Sequence, residues 1–498
     1  MFPLNDTTKV ACSVLLLGFF IITVQPWNLY FLNDDFVHIP LSTQSVLIHF
    51  QFFRPVPNML TALEVRIFGT AAVGFHVTSM ILHIVATICV GVFCHSLIQQ
   101  YSSPGKYKNA GYLASLLFFI YPFHSEPVMW IIGRIGIIAT IFILLSLIFF
   151  LKRHHRRYFY YCSLLSFLVA LFTYETSWLV PLFITMFALV DYSKTRKYGR
   201  LELMPVLGFW VIFVVFLLTR FAVLQEIVTD YEFSGHHISP ASLINNFFRL
   251  VGRTLVPPSI STTRFLITIG LVMIILLVYL VFLIRRKSFR FLYLLLAILL
   301  GISFLPTTQI GIDTHGSEGE RYIYLPSVFW IILLTGLLYE LPIRVGQTIF
   351  VVLIFLYSVL FMSAASNYHY ASSVAKKLVS LVRDYRGEGK IVAINIPANF
   401  RGALIFRSGF KEAIDWVYPQ LKYDSVIAVP AERTNHKIKS IAVIDKAALG
   451  RMYPFSTTDN KTYAFHSGSQ PIYLNMLEDM LIYFDASGDG VAIYPGSN

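Results

Sequence analysis

Long apolar stretches separated by short polar loops dominate the pattern along the chain. Apolar runs of about 15 to 25 residues are long enough to cross a bilayer core of roughly 30 Å as helices. Their positions predict about eleven membrane spans, at residues 10–24, 73–97, 110–123, 131–151, 158–174, 177–190, 204–224, 264–284, 291–305, 322–340 and 345–365. The sequence therefore predicts a polytopic α-helical membrane protein.

Basic clusters interrupt the apolar pattern on one side only. They follow the fourth, sixth and eighth predicted spans, and consist of Lys152, Arg153, Arg156 and Arg157, then Lys194, Arg196, Lys197 and Arg200, then Arg285, Arg286, Lys287 and Arg290. Because cytoplasmic loops are enriched in Lys and Arg, this distribution predicts a cytoplasmic N-terminus. An odd number of spans then places the C-terminal tail on the outer side.

The pattern changes after residue 366, where short alternating segments replace the long apolar runs. Strands are predicted at 390–397, 425–430, 440–445 and 491–495, and an amphipathic helix at 401–418. We therefore predict two domains. Residues 1–366 form a transmembrane domain, and residues 367–498 form a small soluble α/β or α+β domain outside the membrane.

Composition supports this reading and excludes some function classes. Of the 498 residues, 56% are hydrophobic and only 13% are charged, which is typical of a protein that lies mostly in lipid. The formal net charge of +12 comes largely from the basic clusters, so it marks membrane orientation rather than a nucleic-acid partner. The four cysteines lie in apolar runs and are expected to be small buried side chains.

The first predicted outer loop, residues 27–58, carries the adjacent carboxylates Asp34 and Asp35. Placing two carboxylates beside a membrane span costs free energy unless they lie in water or in a functional site. Within and after this loop, segments 42–53 and 58–68 are predicted to be amphipathic helices along the membrane interface.

Other ionisable residues also gather near the predicted outer ends of the spans. They are Arg54, His124, Glu126, Arg134, Glu175, Arg249, Arg253, Arg264, Asp313, His315, Glu318, Glu320 and Arg321. A secondary transporter tends to place such residues near the bilayer midplane, in two repeated halves. The distribution in this chain instead favours a chemical site at the outer membrane surface.

These residue types suit one kind of chemistry at a lipid surface. A carboxylate can accept the proton of an attacking hydroxyl, and arginines can bind a phosphate leaving group. Both roles together are sufficient for inverting sugar transfer from a phospholipid-like carrier, without a general acid.

Four stretches resemble a known family. FFRPVPNMLTALEVRIFG, GFHVTSMILHIVAT, YPFHSEPVMWIIGRIGIIAT and ERYIYLPSVFW occur in this order within residues 10–340. They resemble the GT-C superfamily of polyprenyl-phosphate-sugar-dependent glycosyltransferases. Within it, they are most similar to the membrane part of the transmembrane tetratricopeptide-repeat O-mannosyltransferases and their bacterial relatives.

The resemblance implies roles for individual residues. Asp34 and Asp35 would be catalytic, one as the base and the other positioning it or a metal. The remaining assignments are Arg54, Arg134, Arg321 and His124 for the donor phosphate, and His76, Glu126, Glu175 and Glu320 as supporting residues. No organic cofactor is expected, and a divalent metal stays open. These residues also have alternative structural interpretations. The glutamates could cap helix ends, the histidines could pack in the core, and the arginines could contact lipid headgroups.

The expected function is that of an inverting glycosyltransferase in a bacterial inner membrane. It would move a sugar or oligosaccharide from a polyprenyl-phosphate or pyrophosphate carrier to a Ser or Thr hydroxyl of a protein. The active site and the C-terminal domain would be periplasmic. One alternative is transfer to an envelope lipid or polysaccharide, and another is a non-enzymatic transporter of lipid carriers.

Overall fold

The computed structural model of the chain describes residues 5–102, 105, 107–195, 203–226, 239–285, 291–431, 440–443, 456–457, 462–467, 470–475, 478–484 and 489–493. The chain divides into two compact units. The first, called the membrane unit below, comprises residues Met1–Pro26, Ser42–Ile67 and Gly74–Ala365. The second, called the tail unit, comprises Trp27–Leu41, Phe68–Val73 and Ser366–Asn498.

Helices make up almost all of the described membrane unit. Their bounds are Asp6–Val24, Pro55–Phe68, Ala72–Tyr101, Ala110–Phe119, Ser125–Met129, Ile135–Leu151, Arg157–Leu171, Val180–Thr195, Leu203–Leu224, Pro240–Leu255, Thr262–Arg285, Phe291–Ser303, Tyr324–Glu340 and the first part of Ile343–Val382. Each of the eleven predicted apolar runs overlaps one of these helices. The prediction of a polytopic helical membrane protein is thereby confirmed.

The number of membrane spans stays a prediction. Among the described residues, seven helices are long and apolar enough to cross a membrane, and three further apolar helices are shorter. The three shorter helices are Ala110–Phe119, Arg157–Leu171 and Phe291–Thr307. Length and hydropathy alone therefore support a multi-pass protein without fixing its span count.

Local chemistry explains where several helices begin. The side chain of Asn5 accepts a hydrogen bond from the backbone N–H of Thr8, at 2.7 Å, and so caps the first helix. Ser239 and Ser242 form a reciprocal capping box before Pro240–Leu255, with Pro240 at the first helical position. Proline suits that position because its missing N–H would have no partner inside the helix.

Two helices form the centre of the membrane unit. Of the apolar window in Ile132–Leu151, 83% of the residues are buried inside the protein, and 78% in Glu320–Glu340. In Thr262–Val281 the share is only 6%. A helix that is apolar all round and exposed on the protein surface suits a lipid environment, so the core lies around the first two helices and the third faces outward.

The segment between the acidic pair and Arg54 differs from the prediction. Residues 42–53 were expected to form a helix, but the helix Asp35–Gln44 ends and a two-stranded hairpin follows. In it, Ile48–His49 pairs with Phe52–Phe53, and Phe50 turns the chain with a φ of +53°. Aromatic and β-branched residues favour extended backbone, which explains the hairpin. The predicted helix at 58–68 is confirmed within Pro55–Phe68.

The tail unit is built on a five-stranded sheet. Its strand order is Val426–Ala431, Ile391–Pro397, Met480–Phe484, Asp489–Ile493 and Ser440–Val443. All neighbours are parallel except Met480–Phe484 and Asp489–Ile493, which pair antiparallel. Two small antiparallel sheets accompany it, formed by Asn399–Phe400 with Ala403–Leu404 and by Ser456–Thr457, Thr462–Ser467 and Gln470–Asn475. The predicted α/β or α+β character is confirmed.

The helical part of the tail unit differs in detail from the prediction. The helix expected at 401–418 is present only as Phe410–Val417, because a hairpin occupies the residues before it. A longer helix, Ile343–Val382, continues well past the predicted end of the last span at residue 365. Its last part buries one face within the tail unit, through Tyr368, Ala371, Ala375, Leu378 and Val382. This spacing of three and four residues is typical of an amphipathic helix.

The observed units differ from the predicted domains because two short segments, Trp27–Leu41 and Phe68–Val73, group with the tail unit. The division after Ala365 lies beside the predicted boundary at 366/367. However, the first half of the predicted outer loop, Trp27–Leu41, groups with the tail unit rather than with the helices that flank it in sequence. The acidic pair is therefore part of the tail unit.

Candidate active site

The two adjacent acids of the tail unit have different surroundings. Asp35 is fully buried at the first position of the helix Asp35–Gln44, and its Oδ2 accepts a hydrogen bond from the backbone N–H of Leu32 at 2.9 Å. A carboxylate in the first helical turn is stabilised by the helix dipole. Asp34 is half-buried, and its Oδ1 accepts a hydrogen bond from the Ser408 hydroxyl at 2.5 Å. Asp34 is thus the more accessible of the two.

Arg54 and Glu175 form an ion pair in the membrane unit. Arg54 Nη2 lies 2.6 Å from Glu175 Oε2, and Arg220 Nη1 lies 3.2 Å from Glu175 Oε1. Burial alone would raise the pKa of the Glu175 carboxyl, but the charge of Arg54, with that of Arg220, outweighs it and lowers the pKa. Two guanidinium groups around one carboxylate leave a net positive charge, which suits an anionic ligand.

Glu126 and Arg321 form a second pair. The backbone N–H of Arg321 donates to Glu126 Oε2 at 2.8 Å, and its guanidinium contacts Glu126 Oε1. The same guanidinium lies 5.1 Å from the ring centre of Trp130 and donates to the Tyr322 hydroxyl at 2.7 Å. Burial raises the pKa of the Glu126 carboxyl above its ordinary value, although the charge of Arg321 opposes the rise. The Arg321 side chain is 21% exposed, so this pair reaches the surface.

Glu320 forms a third pair, which is closed to solvent. Its Oε1 lies 2.7 Å from Arg253 Nη2, and its Oε2 accepts a hydrogen bond from the Ser125 hydroxyl at 2.7 Å. Arg253 also donates to the backbone carbonyls of Asp313 and Val256, at 3.1 Å and 2.9 Å. This buried guanidinium therefore donates to three acceptors within the protein. The pair ties the helix Pro240–Leu255 to the start of the central helix after Glu320.

Arg134 is engaged in a fourth, deeply buried pair. Its guanidinium contacts both carboxylate oxygens of Glu64, and it also donates to the Phe75 carbonyl at 3.2 Å and to the Thr61 hydroxyl at 3.3 Å. Both charged side chains are only 3% exposed. The donor-phosphate contact expected of Arg134 stays a prediction, and it would require the pair with Glu64 to open.

The predicted histidines lie in the core of the membrane unit. His124 is fully buried, and its Nε2 lies 2.8 Å from the Ser327 hydroxyl. Burial lowers the pKa of His124 well below its ordinary value, so the ring is neutral near pH 7. His76 is also fully buried. Because a neutral buried ring is a poor phosphate ligand, His124 is not part of the function proposed below. The supporting role of His76 stays a prediction.

No group of three or more His, Cys, Asp or Glu side chains is placed to hold a metal ion among the residues that the structure describes. The resemblance implies that one of Asp34 and Asp35 acts as the base and that the other positions it or a metal. Asp35 Oδ2 accepts a hydrogen bond from a backbone N–H, and a metal role for this carboxylate stays a prediction.

The structure links the predicted residues in pairs that the sequence did not show. Within the membrane unit it joins Arg54 to Glu175, and Arg321 to Glu126. Two partners, Glu64 and Arg220, were missed. A signal for Arg220 was present, because a lone arginine inside the apolar run 204–224 is costly unless it finds a partner.

Three protein O-mannosyl-transferases are similar to this chain in sequence. One from Caenorhabditis elegans is 27% identical over 307 residues, which covers 56% of this chain and 41% of that protein. The human protein O-mannosyl-transferase TMTC4 is 36% identical over 107 residues, covering 19% of this chain and 14% of that protein. Human TMTC1 is 28% identical over 96 residues, covering 19% of this chain and 10% of that protein. The chain thus matches about two fifths of the length of the first of them.

The solved structures of ArnT from Cupriavidus metallidurans are more distant. The apo structure is 15% identical with a TM-score of 0.45, and covers 85% of this chain and 89% of ArnT. The structure bound to undecaprenyl phosphate is 14% identical with a TM-score of 0.43, covering 84% and 89%. Likeness at this level carries no argument about function.

No family model matches the chain. The similarity to protein O-mannosyl-transferases extends over more than half of its length, and it confirms the resemblance that the sequence motifs indicated. This chain is therefore similar in sequence to protein O-mannosyl-transferases, as its motifs indicated.

Proposed function

We propose that the chain is an inverting glycosyltransferase that moves a sugar from a polyprenyl-phosphate carrier to a Ser or Thr hydroxyl of a protein. The observation that carries this proposal is the similarity over 307 residues to a protein O-mannosyl-transferase. Because the relatives are named for mannose transfer to protein, mannose is the first sugar to test. The reaction takes place on the outer face of a bacterial inner membrane, where the basic clusters of the sequence place the acidic loop.

Asp34 acts as the base. Its carboxylate is half-buried, whereas that of Asp35 is fully buried and accepts a hydrogen bond from the backbone of its own loop. A base must reach the proton that it removes, which favours the accessible carboxylate. Asp35 keeps the loop in shape and acts through Asp34.

The sugar transfer needs no general acid to protonate the leaving group. The acceptor oxygen attacks the anomeric carbon of the sugar, and its proton passes to the Asp34 carboxylate. The bond between that carbon and the phosphate oxygen breaks, and its electron pair leaves with the polyprenyl phosphate. Because attack and departure occur on opposite faces, the configuration at the anomeric carbon inverts.

The leaving phosphate needs positive charge, and two arginines of the membrane unit are candidates to supply it. The side chains of Arg54 and Arg321 are 20% and 21% exposed, whereas those of Arg134 and Arg253 are almost completely buried. Guanidinium groups bind phosphate through charge-assisted and often bidentate hydrogen bonds. Arg54 and Arg321 are therefore assigned to the donor phosphate, with Glu175 and Glu126 orienting them.

Replacement of the two acids tests the proposal in cells. A strain that lacks the chain is complemented with wild type, Asp34→Asn or Asp35→Asn, and its O-linked glycopeptides are quantified by mass spectrometry. Loss of a general base slows such reactions by roughly 100- to 10,000-fold, so Asp34→Asn should abolish glycosylation. Asp384→Asn is the matched control, because this carboxylate is 59% exposed and pairs with its neighbour Arg383.

The outcomes separate the competing functions. Full glycosylation with Asp34→Asn would contradict the assignment of Asp34 as the base, and full glycosylation with both variants would exclude either acid from that role. If the strain that lacks the chain loses sugar from an envelope lipid or polysaccharide while its glycoproteins are unchanged, the acceptor is not a protein. A transporter of lipid carriers predicts that Asp34→Asn blocks movement of the carrier across the bilayer, whereas the proposed enzyme keeps carrier supply and loses transfer.

A further inference from the structure

The acidic loop is built into the core of the tail unit. Phe31 and Phe36 are both fully buried. The ring of Phe36 stacks on Phe406 with 5.4 Å between ring centres, and Phe31 lies 4.8 Å from Trp416. Each buried aromatic side chain stabilises this arrangement because its apolar surface is removed from water. These contacts fix the backbone of the loop on either side of the acids.

A second set of contacts fixes Asn33, the residue just before the two acids. The Oδ1 atom of Asn33 accepts hydrogen bonds from the backbone N–H groups of Arg407 and Ser408, both at 2.9 Å. The backbone N–H of Asn33 donates to the Ile405 carbonyl at 2.8 Å. Asn33 has a φ of +46°, a conformation that asparagine tolerates better than most residues. The side chain and the backbone of Asn33 together tie the loop to residues 405–408.

The close approach depends on a glycine next to this site. Gly409 has a φ of +80°, and a Cβ atom on it would lie 2.7 Å from the Asn33 carbonyl oxygen. Only glycine combines this backbone conformation with so short a distance. As a result, Ser408 is held where its hydroxyl donates to Asp34 Oδ1 at 2.5 Å.

We propose that Ser408, held by Asn33, is a positioning residue for the Asp34 carboxylate, so that the tail unit orients the acid that removes the acceptor proton. This inference rests on the proposed function. Ser408 fixes the rotation of the carboxylate through Oδ1 and leaves Oδ2 to receive the proton. A hydroxyl that only stabilised the fold would have no effect on turnover once the protein is folded.

The test measures turnover and substrate binding separately. Full-length protein in lipid nanodiscs is given mannose linked to undecaprenyl phosphate, and membranes of cells that lack the chain supply the acceptor proteins. With Ser408→Ala, kcat should fall on the order of tenfold, since one hydrogen bond to a charged group is lost, while KM for the donor stays unchanged. Ser408→Thr keeps the hydroxyl and should restore most of kcat.

A control and a second variant separate positioning from folding. Ser380→Ala is the matched control, because this serine is exposed and donates only to the Lys377 carbonyl of its own helix, at 2.7 Å. Asn33→Gly keeps the positive φ but removes the Oδ1 acceptor, so it should lower kcat like Ser408→Ala. Thermal unfolding of each variant shows whether the protein remains folded.

Two results would overturn the inference, and they are distinguishable from failure of the proposed function. If Ser408→Ala and Asn33→Gly turn over like wild type while Asp34→Asn is inactive, the base is right and the positioning role is wrong. Equal loss in Ser408→Ala and Ser408→Thr would also contradict it. If wild type transfers no sugar under these conditions, the proposed function fails, and the positioning role fails with it.

Discussion

The Arg134–Glu64 pair is a buried charge pair whose loss tests how the membrane unit is held together. Both side chains are 3% exposed, so each depends on the other for its solvation. Glu64→Gln leaves the Arg134 guanidinium buried without a counter-charge, and should cost about 3–5 kcal/mol of unfolding free energy. Thermal unfolding of the protein in detergent measures this loss.

An exposed pair provides the control. Lys9 and Asp6 lie 3.1 Å apart, but the Asp6 side chain is 97% exposed. Asp6→Asn should change the stability by less than about 1 kcal/mol. Glu64→Gln combined with Arg134→Met should recover part of the loss, because no unpaired charge then remains. Equal shifts for Glu64→Gln and Asp6→Asn would contradict a stabilising role of the buried pair.

Partner choice is the part of the site that the sequence could not supply. The sequence located Arg54 and Glu175 near membrane ends, yet their contact joins residues 121 positions apart. Arg134 and Glu64 are separated by 70 positions, and Glu64 was not singled out at all. Which charge meets which depends on how the helices pack, and apolar runs carry no information about that. Because burying a charge costs free energy, the sequence predicts that each buried charge has a partner, but it does not identify the partner residue.

The crossing of helices Ala72–Tyr101 and Ala110–Phe119 depends on two glycines. A Cβ atom on Gly111 would lie 2.6 Å from the Gly91 carbonyl oxygen and 3.4 Å from His95 Cβ. A backbone oxygen cannot move aside without separating the helices, so Gly111→Ala should destabilise the protein by about 1–3 kcal/mol. Thermal unfolding in detergent measures the effect.

Two other glycines, Gly91 and Gly18, provide controls for this prediction. A Cβ atom on Gly91 would mainly meet the Ser115 hydroxyl, which can rotate away, so Gly91→Ala should cost less than Gly111→Ala. Gly18 has no atom within 4 Å of such a Cβ, and Gly18→Ala should change the stability by less than about 0.5 kcal/mol. If all three variants unfold at the same temperature, the close crossing does not limit stability.

The bounds of helices were predictable from the sequence where the bilayer determines their length and hydropathy. The bilayer demands long apolar runs, so the predicted run 204–224 and the helix Leu203–Leu224 agree within a residue. Shorter elements follow local turns, which hydropathy does not encode. The hairpin at Ile48–Phe53 replaced a predicted helix for this reason. The small strands Thr462–Ser467 and Gln470–Asn475 were not predicted.

At the scale of the whole molecule, the arrangement across the membrane can be tested with two single cysteines. Seven of the predicted spans lie between residues 155 and 380, so the two positions should be on opposite sides. In a variant whose four native cysteines are replaced by alanine, His155→Cys and Ser380→Cys are labelled with a membrane-impermeant maleimide. Both native side chains are exposed.

The expected result is a difference between intact and permeabilised cells. Residue 380 should react with the maleimide once the outer membrane is opened, and residue 155 only after the inner membrane is permeabilised. The alanine variant without added cysteines measures the background. Labelling of both positions from the same side would contradict an odd number of spans between them, and with it the outer location of the tail unit.

The contact between Asp34 and Ser408 joins residues 374 positions apart. A ribosome adds roughly 5–20 residues per second, so about 20–75 seconds pass between the synthesis of one and the other. During that interval the nascent chain already occupies the membrane, while the segment that orders its acidic loop does not yet exist. On the mechanism proposed above, a copy that terminates before Ser408 lacks the hydroxyl that orients the Asp34 carboxylate. Full activity in sugar transfer then arises only after Ser408 has been translated.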